Sequence, residues 1–163
     1  MCFHIWESYQ FSGDKEFLRK LFPVLRGSVL FLVDFLIEDA SGKYLITNPS
    51  LSPENTFINE KNAPGVLCEG SSIDIQIIDA IFSAFVSSVS DLNVVDDLLE
   101  TVTQCKARLP PMAIGSFGQL QEWQQDYEEA EPGITIHSFI SVTNIDTTFR
   151  PQTHFPPLGS PSR

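Results

Sequence analysis

Glu54, on a stiff stretch of backbone between two helices, is a carboxylate held in place, and spacing alone does not tell whether it does chemistry. The segment NPSLSPENTF, Asn48 to Phe57, sets Glu54 between Pro53 and Asn55, with Pro49 upstream. Each proline fixes its own φ and pushes the residue before it toward extended backbone, so the chain leading to Glu54 has little freedom. A carboxyl group held in this way can give a proton to a bound reactant or take one from it. The same letters also have a structural reading. Ser-x-x-Glu and Ser-Pro-Glu occur at ordinary helix starts, with Pro at the first helical position and Glu in the first turn. On composition alone the capping reading is the stronger. No Gly-rich phosphate loop, no Ser-His-Asp ordering and no metal-ligand spacing stands out elsewhere.

The elements that must hold this loop are helices. Phe3, Ile5, Trp6, Tyr9 and Phe11 suit the closing turns of a first helix, with Gly13 as a left-handed C-cap and Asp14 as the N-cap of the next. A second helix is predicted from about Lys15 to Glu38, with Phe17, Leu18, Leu21, Leu25, Val29, Leu32 and Leu36 on one face. Leu30, Phe31, Val33 and Ile37 make its second half apolar nearly all round, which describes a helix buried between neighbours. Pro23 inside it should introduce a kink. Between Glu38 and Ser72 the periodicity stops, leaving a long loop with at most a short strand at Tyr44 to Ile46. Loops of that length in compact domains are usually functional. A third helix, capped by Ser71 or Ser72, carries Ile73, Ile77, Ile81, Phe82, Phe85 and Val89 inward to about Ser90. A fourth, Val95 to Ala107, ends with Lys106 and Arg108 where cations suit the dipole, before Leu109-Pro110-Pro111. Ile114 to Trp123 reads as a Gly-rich loop entering one helical turn, and the acidic tract Asp126 to Glu131 as a solvated segment. From Pro132 onward no helical period survives, and Pro151, Pro156, Pro157 and Pro161 mark the end as a disordered tail.

Composition narrows the partners. A chain of 163 residues supports one domain with a real core, and its 42% apolar and 19% charged residues are ordinary globular values. A net charge of −11 with only ten Lys and Arg argues against nucleic acid, which needs clustered cations for phosphate, and favours a neutral or cationic ligand. The longest apolar stretch, Leu21 to Ile37, is broken by Pro23, Arg26 and Asp34, so no membrane partner is expected. Cys2, Cys68 and Cys105 are few, odd in number and widely spaced, and are expected to be free, buried thiols. The opening MCFHIWESYQF lacks the parts of a secretory signal, which leaves the compartment open and says nothing of a longer, secreted parent.

Five strings then occur in one order: HIWESYQFSGDKEFL at His4 to Leu18, NPSLSPENTF, DIQII at Asp74 to Ile78, ARLPP at Ala107 to Pro111 and GSFGQLQEW at Gly115 to Trp123. Together they resemble consecutive stretches of glycoside hydrolase family 95, over about Phe3 to Gly133 and a minor part of that family's catalytic domain. The resemblance implies an all-α fold, a section of an (α/α)6 barrel with one long active-site loop. It implies an inverting, exo-acting α-L-fucosidase as the parent activity, a fucosylated oligosaccharide as substrate, and neither cofactor nor metal. In the family the glutamate of Ser-Pro-Glu-Asn is the general acid, a role that falls here on Glu54. Such an acid must stay protonated near working pH, so partial burial should raise its pKa. Asn55, Asp74 and Trp123 are the candidates for contact with the sugar. Asp74 can equally favour the start of the third helix, and Trp123, like Trp6, can equally belong to the core.

An inverting glycosidase also needs a base on the opposite face, with the two groups about 6.5–9.5 Å apart so that a water fits between them. The family supplies it through an Asn-x-Asn-x-x-Met-Asn-Tyr-Trp segment upstream and an Ile-Asp-Gly-Asn segment downstream, and this chain has neither. Asn144-Ile-Asp146 is a superficial echo with no role assigned, and His137 in PGITIHSFISV is out of register with the family's His-rich run. The expectation is therefore a partial catalytic domain over residues 1–133 and a divergent Pro-rich tail over 134–163, from a truncated or frame-slipped gene model. The isolated chain should be inactive. Two other readings stay open: a non-catalytic helical module that binds a glycan or protein partner, and a hydrolase for the related α-L-galactoside.

Overall fold

A computed structural model describes residues 2–52 and 55–130 of the chain. Pro53, Glu54 and the predicted tail lie outside the described residues, as do His137, Asn144 and Asp146.

Four helices make up about half of what is described: α1 (Phe3–Ser12), α2 (Lys15–Phe35), α3 (Ser72–Leu92) and α4 (Leu98–Ala107). The first junction forms as its residue types dictate. Gly13 adopts φ 68° and its N–H closes on the Tyr9 carbonyl, while the Asp14 carboxylate accepts from the amides of Glu16 and Phe17, both at 2.9 Å. That leaves α1 and α2 paired, and α3 packs against α1, α2 and α4 as the central helix. Leu25, Val29, Ile78, Phe82, Phe85, Val89 and Val102 form the main cluster, and Trp6, Tyr9, Leu18, Ala84 and Leu92 a second one under α1. Trp6 is thus a core residue. Each large apolar side chain buried in this way contributes about 1.5–3 kcal/mol. By length and composition α3 could cross a bilayer, and its burial among the other helices accounts for that composition.

Several expectations about the helices need correction. The outer face of α2 is open: Val24, Leu30, Phe31 and Phe35 are exposed, so the apolar second half has a neighbour on one side only. The helix, with Pro23 inside it, ends at Phe35 and not at the expected Glu38. In α3, Ile75 and Ile78 are buried where Ile77 had been expected, and Ile77 is exposed. In α4 the first turn begins at Leu98, whose amide is capped by the Asp96 carboxylate, and Val95 is left fully exposed. Lys106 at the far end pairs with Asp79 of α3 and so ties the two helices together.

The region between α2 and α3 is the larger departure from an all-α reading. It contains six two-residue strands: β1 (Ile37–Glu38), β2 (Leu45–Ile46), β3 (Ser50–Leu51), β4 (Phe57–Ile58), β5 (Pro64–Gly65) and β6 (Leu67–Cys68). A seventh, β7 (Glu128–Glu129), arrives from beyond α4. All pair antiparallel: β1 with β2, β3 with β6, and β4 with both β5 and β7. Two residues are too few to show an alternating pattern, which is why the sequence reads as loop apart from the short strand expected at Tyr44 to Ile46, where β2 forms. Gly65 is required where it stands, because a Cβ there would lie 2.5 Å from the Phe57 ring. The acidic tract is exposed at Asp126 and Glu128, as expected of a solvated segment, and it also supplies β7. The predicted turn of helix before Trp123 is also absent. Gly118, at φ 82°, tightens a hairpin in which Gly118 N–H reaches the Gly115 carbonyl and Gln121 N–H reaches that of Ala113.

Candidate active site

The site is built outward from the first turn of α3. Ser71 stands at the N-cap without making a side-chain cap. Both serines expected to cap are spent on holding loops. Ser71 Oγ shares a hydrogen bond with Ser50 Oγ at 2.7 Å, with Ser71 as donor because the single Ser50 proton goes to Asp74; Ser72 Oγ donates to the Gln121 carbonyl, and Ser72 N–H donates to the Glu122 carbonyl at 2.9 Å. Asp74, one turn in, takes hydrogen bonds on Oδ2 from Thr47 Oγ1 at 2.9 Å and Ser50 Oγ at 2.7 Å. Thr47, Ser50 and Ser71 are all buried. One helix start therefore fixes both the 47–50 stretch and the 121–122 stretch.

Glu122 carries that support on to the proline-bounded segment. It is 4% exposed, and its two carboxylate oxygens serve different partners: Oε2 accepts from Ser52 Oγ at 2.7 Å and Oε1 from Asn55 Nδ2 at 3.4 Å. Asn55 Oδ1 in turn accepts from the Thr56 amide at 2.8 Å. The two residues flanking Pro53-Glu54 thus converge on one buried acidic side chain. Sequence reasoning missed Glu122. It stands inside the GSFGQLQEW string, but its partners are 67 and 70 residues away and no local spacing announces them.

Next to Glu122, Trp123 forms part of the wall of a cleft of about 380 Å³, which Asn48, Pro49, Leu67, Cys68 and Tyr127 also line. That volume lies in the range of small-ligand sites. Trp123 is 3% exposed and packs edge-on against Phe57 and Tyr127, while Phe57 and Tyr127 stack at 4.5 Å. Its indole N–H is buried without a hydrogen-bond partner. Cys68 is half-buried, and burial pushes its thiol pKa up, as it does for Cys105. All three cysteines are free, and each is only partly buried. Among the described residues no three His, Cys, Asp or Glu side chains converge on a point that could hold a metal ion.

The sequence-predicted residues therefore fall as follows. Asn55 is buried on Glu122, Asp74 is engaged by loop hydroxyls, and Trp123 stands in the wall of the cleft in an aromatic cluster. Glu54 lies outside the described residues, between the two that Glu122 holds. What the arrangement can do is hold Ser52 and Asn55 together on one buried carboxylate, whose neighbour in the chain, Trp123, lines a small cleft.

Comparison with known proteins places this chain in a family. Residues 1–141 match the glycosyl hydrolase family 95 catalytic domain. "Alpha-L-fucosidase 2" of Arabidopsis thaliana is 40% identical over 133 residues, which is 80% of this chain and 16% of that protein. "Probable alpha-fucosidase A" of Aspergillus niger is 26% identical over 132 residues, 78% of this chain and again 16% of the relative. The chain thus spans about one sixth of the length of these curated relatives, and within that span it belongs to glycosyl hydrolase family 95 through its catalytic domain.

Proposed function

We propose that this chain is the acid-bearing section of an inverting α-L-fucosidase, in which Glu54 protonates the departing glycosidic oxygen of a terminal fucose on a glycan. In this reading the four helices are a section of an (α/α)6 barrel spanning residues 1–133, with the remaining residues a divergent tail. The observation that supports it best is the order of the family's motifs along a chain matched over residues 1–141, with Ser52 and Asn55 of the Ser-Pro-Glu-Asn segment both held by a buried carboxylate. A proton donor is effective only when held within hydrogen-bond reach of the oxygen it protonates, and a loop fixed at both flanks meets that need. The base that activates water lies in the rest of the catalytic domain, so the isolated chain releases little or no fucose.

The test requires a complete catalytic domain, made by exchanging residues 1–130 of this chain for the matching stretch of the Arabidopsis relative. Glu54→Gln should lower the rate on a fucosylated oligosaccharide by about 10²–10⁴-fold, the usual worth of a positioned acid. The loss should be far smaller on nitrophenyl fucoside, whose leaving group departs without a proton. Proton NMR should show the β-anomer of fucose as first product, as inversion demands. Equal losses on the two substrates would remove Glu54 from the acid's role.

A further inference from the structure

We infer that Glu122 is the positioning residue of the Ser-Pro-Glu-Asn segment: by holding Ser52 with one carboxylate oxygen and Asn55 with the other, it sets how Glu54 is presented. The inference rests on the reading of Glu54 as the acid, and its test can fail separately from that reading.

Consecutive Cα atoms lie about 3.8 Å apart, so Glu54 is one step along the chain from one anchored residue and two from the other. While both bonds hold, Ser52 and Asn55 cannot move independently of Glu122. The clamp is itself fixed at its base. The Glu122 carbonyl accepts from Ser72 N–H at 2.9 Å and the Gln121 carbonyl accepts from Ser72 Oγ, which binds the clamp to the first turn of α3. The choice of residue type also carries information. Burying a carboxylate is costly and is tolerated where hydrogen bonds satisfy it. What a carboxyl group offers is two oxygens at once, able to take donors from two flanks. Because Trp123 follows directly and lines the cleft, one short stretch supplies both the clamp on Ser52 and Asn55 and part of the cleft wall.

Two variants separate positioning from general support. Glu122→Gln has the same shape: its oxygen can accept from Asn55 Nδ2 while its amide donates to Ser52 Oγ. Glu122→Ala removes both bonds. In this chain, hydrogen exchange of the amides at 55–58 should quicken about tenfold or more in Glu122→Ala, with the α2 and α3 amides unchanged, and stay within about threefold of the parent in Glu122→Gln. If Glu122→Ala does not fold, Ser52→Ala, which removes one arm, should quicken the same amides. Unchanged exchange in whichever alanine variant folds, or loosening spread equally through α3, overturns the inference.

In the exchanged full catalytic domain, Glu122→Ala should lower kcat on the oligosaccharide about a hundredfold with KM within about threefold, since a misplacement of about 1 Å costs that much. Glu122→Gln should recover kcat to within about tenfold of the parent. A loss carried by KM alone, or no recovery with Gln, counts against positioning. If Glu54→Gln in the same protein keeps full activity, the acid assignment fails, while the exchange result still decides whether Glu122 holds the segment.

Discussion

Around Phe82 and Phe85 the chain is held by apolar contact, whereas around Asp74 and Glu122 it is held by hydroxyls, amides and carboxylates. Apolar contact is strong and has no direction, so the helices can shift slightly against one another without losing it. Hydrogen bonds weaken steeply with distance and angle, so the loops between α2 and α3 are fixed in register even where their strands are two residues long. The helical half supplies most of the stability, and the loop half, hung on the first turn of α3, supplies direction. Chemistry at a bound ligand needs the second kind of order.

The sharpest way to break this division is to damage the core itself. Phe82 of α3 is fully buried in the main core cluster, and Phe82→Ala should cost about 3–5 kcal/mol through lost burial and the cavity left behind. Because Ser71, Ser72 and Asp74 all belong to the start of α3, the loops should lose hydrogen-exchange protection together with the helices. Urea titration followed by circular dichroism, with exchange read at Thr56 and Phe57, measures both. Loops that stay protected after the helices melt would show that the two halves do not depend on each other in this way.

Damage to the polar half should stay local. Asp74→Ala leaves the Thr47 hydroxyl buried without its acceptor, a penalty of about 1–3 kcal/mol, while Ser50 keeps Ser71 as an alternative. The 47–50 stretch should exchange faster and the helices should keep their protection. A uniform loss of protection would mean that Asp74 supports the helix start more than the loop.

The same division decides what was legible in the sequence. Gly13, Asp14, the pairing of α1 with α2 and the inward face of α3 at Ile81, Phe82, Phe85 and Val89 follow from local signals: a glycine suited to positive φ, an N-cap carboxylate, a three- and four-residue period. What required knowledge of distant neighbours was lost. Nothing local tells α2 that its outer face stays open at Phe31, tells Ser71 that its hydroxyl will meet Ser50, or tells Glu122 that it will hold Ser52. The proline-bounded segment was found because its stiffness is local, and its anchor was missed because the anchor lies beyond two helices.

A smaller effect tests whether the helical half is as free of directed bonds as the contrast implies. Tyr9, buried against α3, donates its hydroxyl to Asp91 at 3.0 Å, and burial first, then Asp91, pushes its pKa up from 10.0 to about 12. The folded state therefore holds the phenol proton more tightly than the unfolded chain does. The stability this provides is fully present below pH 10 and is lost as pH rises toward 12. At pH 11 the loss should be about 1.4 kcal/mol, one pKa unit's worth. Other groups titrate in the same range, so the comparison is with Tyr9→Phe, which lacks the ionising group and should lose that much less stability between pH 9 and 11. Parallel pH curves for the two proteins would mean that the Tyr9–Asp91 bond does not fasten α1 to α3, leaving the docking of α1 to the apolar contacts of Trp6, Leu18 and Leu92.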